Sequence, residues 1–185
     1  MRAYVAAPLL LVLGACSSAE VPDRAGDAGS AASALADTGT WNPCADLSAV
    51  RVERALGARV RKETGTVETP RCAFLPTVKG GPTLNVTYTW FSGGFEEAWR
   101  SMGDLDGSVR DVDLPGADHA RLVVSTGKQA VLVTGFTQTG DLIETVNAAA
   151  LAPYDEAAVT AATTEVMAML VRHAPESPEA AAARG

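Results

Sequence analysis

Thr83-Leu84-Asn85-Val86-Thr87-Tyr88-Thr89-Trp90 alternates without a break. Leu84, Val86, Tyr88 and Trp90 fall on one side and Thr83, Asn85, Thr87 and Thr89 on the other, which is the period of a strand with one buried face. Gly93-Gly94 ends the run. Phe95, Ala98, Trp99 and Met102 then follow at helical spacing, so a short amphipathic helix comes next.

Upstream, Ser48 is an expected N-cap for a helix through Leu56, with Gly57 where a stop is expected and Val52, Ala55 and Leu56 on the buried side. Residues 60–67 read as a weak strand, and residues 71–75 as a second one carrying Cys72 and Phe74. Downstream, residues 104–118 read mostly as loop, with room for a short strand at 109–112. Residues 121–125 and 128–136 read as strands joined at Thr126-Gly127, and residues 141–147 as another, reached through Thr139-Gly140. A long helix starts after Pro153, capped by Asp155, with Val159, Ala162, Val166, Met169 and Leu170 in one stripe through His173. Connections this short predict a largely antiparallel sheet. The expected fold class is α+β, a curved antiparallel sheet packed against two or three helices.

Residues 1–15 carry Arg2, then an apolar run from Ala3 to Leu13, then small residues leading to Cys16. That is the form of a secretory signal peptide. The run is too short to span a bilayer, which needs about 20 apolar residues. The cysteine at the cut makes Leu13-Gly14-Ala15-Cys16 resemble a bacterial lipobox, in which Cys16 takes lipid (palmitate among its acyl chains) and becomes the new N-terminus. Gly14 departs slightly from the commonest pattern. The alternative is an ordinary signal peptide with a chance cysteine. Residues 16–40 are rich in Ala, Gly, Ser and Asp and read as a lipidated cysteine with a disordered tether. Residues 41–175 form the single domain, and residues 176–185 read as a disordered tail.

The formal charge is −7, and removing residues 1–15 takes away Arg2 and no acid. An acidic chain without basic clusters is a poor nucleic-acid partner. Its overall charge opposes anionic headgroups, so attachment is expected through the anchor. With Cys16 assigned to lipid, Cys44 and Cys72 remain. In an oxidising compartment a disulfide is the default, with a metal pair or a free catalytic thiol as alternatives.

Asn42-Pro43-Cys44, the helix ending Ala55-Leu56-Gly57, Cys72 on a strand, and the closing strands with an Ala-rich helix resemble a family of actinobacterial lipoproteins of unknown function. The likeness covers residues 41–173. It implies a PsbP-like sandwich and a Cys44–Cys72 disulfide, and it carries over no catalytic residue.

Catalytic motifs are weak. Ser125-Thr126-Gly127-Lys128 matches a Ser-x-x-Lys pattern but falls between two apolar strands, without the partner motifs. Gly127-Lys128 lacks the upstream glycine of a P-loop, and Gln129 stands where a hydroxyl is needed. Asp104, Asp106, Asp111, Asp113 and Asp118 are oxygen ligands in no calcium spacing, and Asp and Gly also favour turns for backbone reasons. His119 beside Asp118 is the obvious base if a triad exists. Trp90 and Phe91 are adjacent in an alternating strand, so one of them is expected to be exposed or to line a groove, where aromatics anchor recognition. The expectation is therefore a lipid-anchored protein on the extracytoplasmic face of the cell membrane. It has no catalytic residue, cofactor or metal, and it binds an unknown envelope protein or ligand. The alternatives are an envelope-acting hydrolase using His119, or a carrier of apolar ligands with a cavity lined by Leu84, Val86, Val131, Leu132 and Val166.

Overall fold

A computed structural model describes residues 41–66 and 68–176. The expected signal peptide, Cys16, the expected tether and the tail from residue 177 lie outside the described residues. The elements are α1 (Ala49–Leu56), β1 (Val60–Thr64), β2 (Arg71–Pro76), β3 (Thr83–Trp90), α2 (Phe95–Ser101), β4 (Ser108–Asp111), β5 (His119–Thr126), β6 (Ala130–Thr139), β7 (Leu142–Leu151) and α3 (Glu156–Val171). The expected α+β arrangement is present. The seven strands form one open antiparallel sheet in the order β1-β2-β3-β7-β6-β5-β4.

Register fixes two faces. Val86 pairs with Val146, which pairs with Gly135, which pairs with Leu122. Residues of this parity form the inner face, including Phe74, Leu84, Val124, Val131, Val133 and Ala148, and all are buried in one core with Val52 of α1 and Val166, Met167 and Leu170 of α3. α3 lies over β6 and β7, and α1 packs on α3 and β1. Four residues named above as cavity lining, Leu84, Val86, Val131 and Val166, are packed in this core. Leu132 does not join them. It has the opposite parity and is 45% exposed on the outer face.

Both long-range helix ends follow local chemistry. Ser48 Oγ accepts from the Arg51 N–H at 3.3 Å, and Asp155 Oδ1 accepts from the Ala158 N–H at 3.0 Å. Gly57 ends α1 with φ +62°, a left-handed conformation that other residues adopt only at a cost. Cys44 and Cys72 form a disulfide, tying the segment before α1 to β2 with Cα atoms 5.0 Å apart.

Gly135 faces Met167 of α3 at close range. A Cβ there would lie 2.3 Å from Met167 Sδ and 3.0 Å from its Cγ. Gly135→Val is therefore expected to lower stability by about 1–3 kcal/mol through overpacking, read as a lower urea midpoint. Met167→Ala in the same chain should recover part of the loss. An unchanged midpoint for Gly135→Val would contradict this packing.

Candidate functional site

The outer face of the sheet carries the residues of opposite parity. α2 packs on one part of it, and much of the remainder consists of small polar side chains. Asn85 faces Asn147 across β3 and β7, and Asn147 faces Thr134 across β7 and β6. Thr134 Oγ1 donates to Asn147 Oδ1 at 2.9 Å. Asn85 Oδ1 has no hydrogen-bond partner among the described residues. In the next row Thr87 faces Thr145, with Thr89 exposed beyond it. These side chains are partly exposed hydroxyls and amides. They offer donors and acceptors without a net charge, which suits hydrogen bonding to a polar neutral surface.

One wall of this face is an aromatic and cationic cluster that holds α2. Phe95 is buried, and its backbone N–H donates to Gln138 Oε1 at 3.1 Å. Trp99 stacks on Phe95 with centroids 6.1 Å apart and meets Phe136 edge-on at 5.4 Å. The Arg121 guanidinium lies 4.5 Å from the Trp99 ring centroid and 5.1 Å from that of Phe95. Its Nε donates to Asp111 Oδ1 at 2.7 Å and its Nη2 to Glu96 Oε1 at 3.0 Å. The Asp111 hydrogen bond leads the effects that raise the Arg121 pKa, so the cation is permanent. Cation–π contact and two charge-assisted hydrogen bonds thus join β4, β5 and α2. Nothing local in the sequence marks this cluster, because its members come from β4, β5, β6 and α2.

His119 stands at the edge of the cluster. It is exposed, and its ring stacks on Phe95 at 5.4 Å. Among the described residues no hydrogen bond links it to a hydroxyl or carboxylate. The neighbouring Asp118 carboxylate accepts from the Gly140 N–H instead, at 2.7 Å. Ser125 and Thr126 end β5, and Gly127 and Lys128 are in the β5–β6 hairpin connection, closed by Gly127 N–H to the Ala130 carbonyl at 2.9 Å. Of the acidic residues of the 104–118 segment, Asp111 is engaged by Arg121 and Asp118 by Gly140. Among the described residues no group of three or more His, Cys, Asp or Glu side chains is placed to hold a metal.

Trp90 and Phe91 lie on opposite sides of the end of β3, and both are partly exposed. Trp90 is on the inner side, where it meets Tyr88 edge-on at 6.5 Å. Tyr88 in turn meets Trp41 edge-on at 4.9 Å, and its hydroxyl donates to the Trp41 carbonyl at 2.7 Å. The Phe91 N–H donates to the Asp141 carbonyl at 2.8 Å, holding this residue to the β6–β7 turn. Neither ring belongs to the polar rows.

Sequence reading also missed Glu144. It faces Tyr88 and Thr137 across the sheet on the inner face and is fully buried. Thr137 Oγ1 donates to its Oε2 at 3.0 Å, while Oε1 has no partner among the described residues. Desolvation pushes its pKa up to about 7, against a smaller lowering by the Thr137 hydrogen bond. The available signal was parity, since Glu144 alternates in step with Leu142 and Val146.

Comparison with protein-family models, curated proteins and solved structures finds no match for this chain.

Proposed function

We propose that this chain is a lipid-anchored protein of the extracytoplasmic envelope that acts as a non-catalytic binding or accessory module, related to PsbP-like lipoproteins. Its recognition surface is the outer face of the sheet. The observation that carries this reading is the row Asn85–Asn147–Thr134 beside Thr87 and Thr145, a neutral hydrogen-bonding surface on the same face as α2, which Arg121 ties to β4 and β5. Backbone register fixes the spacing of these groups, so little ordering is needed on binding. Membrane attachment falls to Cys16.

Photo-cross-linking residues at Thr89 and Thr145, in the lipidated chain in its own envelope, should give discrete adducts. The same residue at Ala161, exposed on α3, should give none. Equal adducts at Ala161, or none from the outer face, would contradict the assignment. A screen with ester, peptide, phosphate and glycoside substrates should show no turnover that His119→Ala removes. Such turnover would make the protein an enzyme instead.

A further inference from the structure

Leu132 and Leu151 are 45% and 57% exposed, and both lie on the outer face at one end of the sheet. Leu132 faces Ala149, and Leu151 faces Ala130, so the two leucines are diagonal neighbours on β6 and β7. Val78, 63% exposed, is in the β2–β3 loop at the same end. A Cβ on Gly81 would touch its Cγ2, and Gly81 lines a shallow hollow with Leu151. A second hollow, lined by residues 125–130 and Leu132, lies alongside. Polar rims carry scattered exposed aliphatics on any protein, but three at one end form a patch.

The charges at this end are unlike those of the whole chain. Two of its three lysines, Lys79 and Lys128, are in the two loops that flank the leucines, and both are exposed. Arg59, also exposed, adjoins the first loop, its carbonyl accepting from the Thr77 N–H at 3.1 Å. Loop residues 77–82 and 127–129 contain no acid. The acids at this end are otherwise engaged or set apart: the Glu53 carboxylate accepts from the Val60 N–H at 3.0 Å, Asp155 and Glu156 begin α3 on the inner side, where the Asp155 carboxylate is engaged by the Ala158 N–H, and Asp106 precedes β4. The opposite end carries Glu68, Glu96, Glu97, Asp113, Asp118 and Asp141 in its turns and in α2. An acidic protein thus has one end whose exposed aliphatics are flanked by lysines in both adjoining loops.

We propose that this end is a membrane-docking surface: Val78, Leu132 and Leu151 enter the headgroup region of an anionic bilayer, and Lys79 and Lys128 meet its phosphates. Exposed aliphatics with a lysine on either side join apolar burial to attraction for anionic headgroups, the two contributions that bind such an interface. The inference rests on Cys16 being the lipid site, and the chain length allows it. Residues 16–40 reach up to about 85 Å when extended, against about 33 Å for the longest strand. Docking fixes orientation, turning the acidic end and its loops away from the bilayer.

The test uses the full lipidated chain, purified from its membranes and reconstituted in phosphatidylglycerol–phosphatidylcholine vesicles with and without brominated acyl chains. Tryptophan is introduced at Leu151, at Leu132, or at Val50, which is 64% exposed on α1, and the wild-type emission is subtracted. Bromine should quench the new tryptophan at positions 151 and 132 by about twofold and leave that at position 50 unchanged. Lys79→Glu with Lys128→Glu should remove most of the quenching while the protein still floats with the vesicles. Equal quenching at 151 and 50 in floating protein would overturn the docking surface and leave the anchor intact. Protection of position 151 together with concentration-dependent self-association would overturn it in favour of a second copy of the chain. Wild-type protein that does not float would overturn both the anchor and the docking surface.

Discussion

Glu144→Gln should raise the melting temperature at pH 8 by about 10 °C and change it little at pH 5. The sign follows from burial. The carboxyl titrates near 4.5 when exposed and at about 7 in the fold. Below pH 4.5 it is protonated in both folded and unfolded chains and costs nothing. As pH rises through 7 the unfolded chain has already released the proton, whereas the fold must hold it or bury a charge. Stability from this group is thus fully present at low pH and lost by pH 8, to the extent of about 3 kcal/mol. Gln keeps an acceptor for Thr137 and removes the titration, so the gap between variant and wild type should open across that range. A gap that stays constant from pH 5 to pH 8 would mean that Glu144 is not buried as described.

Removing the disulfide should have an effect of similar size. Cys44 and Cys72 are separated by 28 positions and both are buried. Closing a loop of that length stabilises a fold by about 3.5 kcal/mol in the chain-entropy account. Cys44→Ala with Cys72→Ala should therefore lower the melting temperature by about 10–15 °C. Reduction of the wild type should do the same. A double variant that melts with the oxidised wild type would show that the cross-link contributes nothing, and that α1 is held to β2 by packing alone.

The alternation in Thr83–Trp90 located the central strand and its inner face, because side-chain parity in a strand has only two outcomes. Elements with weaker alternation were read short or long. β7 continues to Leu151, through Ala148, Ala149 and Ala150, where an alanine run hides the two faces. β1 stops at Thr64, short of the expected 67, and the Gly65 N–H to Arg71 carbonyl bond is the last in that register before the chain turns back into β2. β6 starts at Ala130, since Lys128 is within the hairpin turn, and β5 starts two residues early at His119. α3 ends at Val171 and not at His173.

The site was less legible than the fold. The polar face of β3 was visible as Thr83, Asn85, Thr87 and Thr89, but its continuation through Asn147 and Thr134 depends on β3 pairing with β7. No local pattern encodes that long-range pairing. Arg121 reads as an ordinary exposed strand residue, yet it is enclosed by Trp99, Phe95, Asp111 and Glu96 from two other elements. Trp90 and Phe91 stood out for their size, and both are held at the end of β3, away from the polar rows.

The proposed recognition face and the proposed docking end both presuppose a chain held at a membrane, and the proposal assigns that attachment to Cys16. Intact-mass analysis of the protein extracted from its own membranes tests this most directly. The expected mass is that of a chain beginning at Cys16 and carrying a thioether-linked diacylglycerol. A chain that begins at another residue, or that begins at Cys16 with an unmodified thiol, would contradict it.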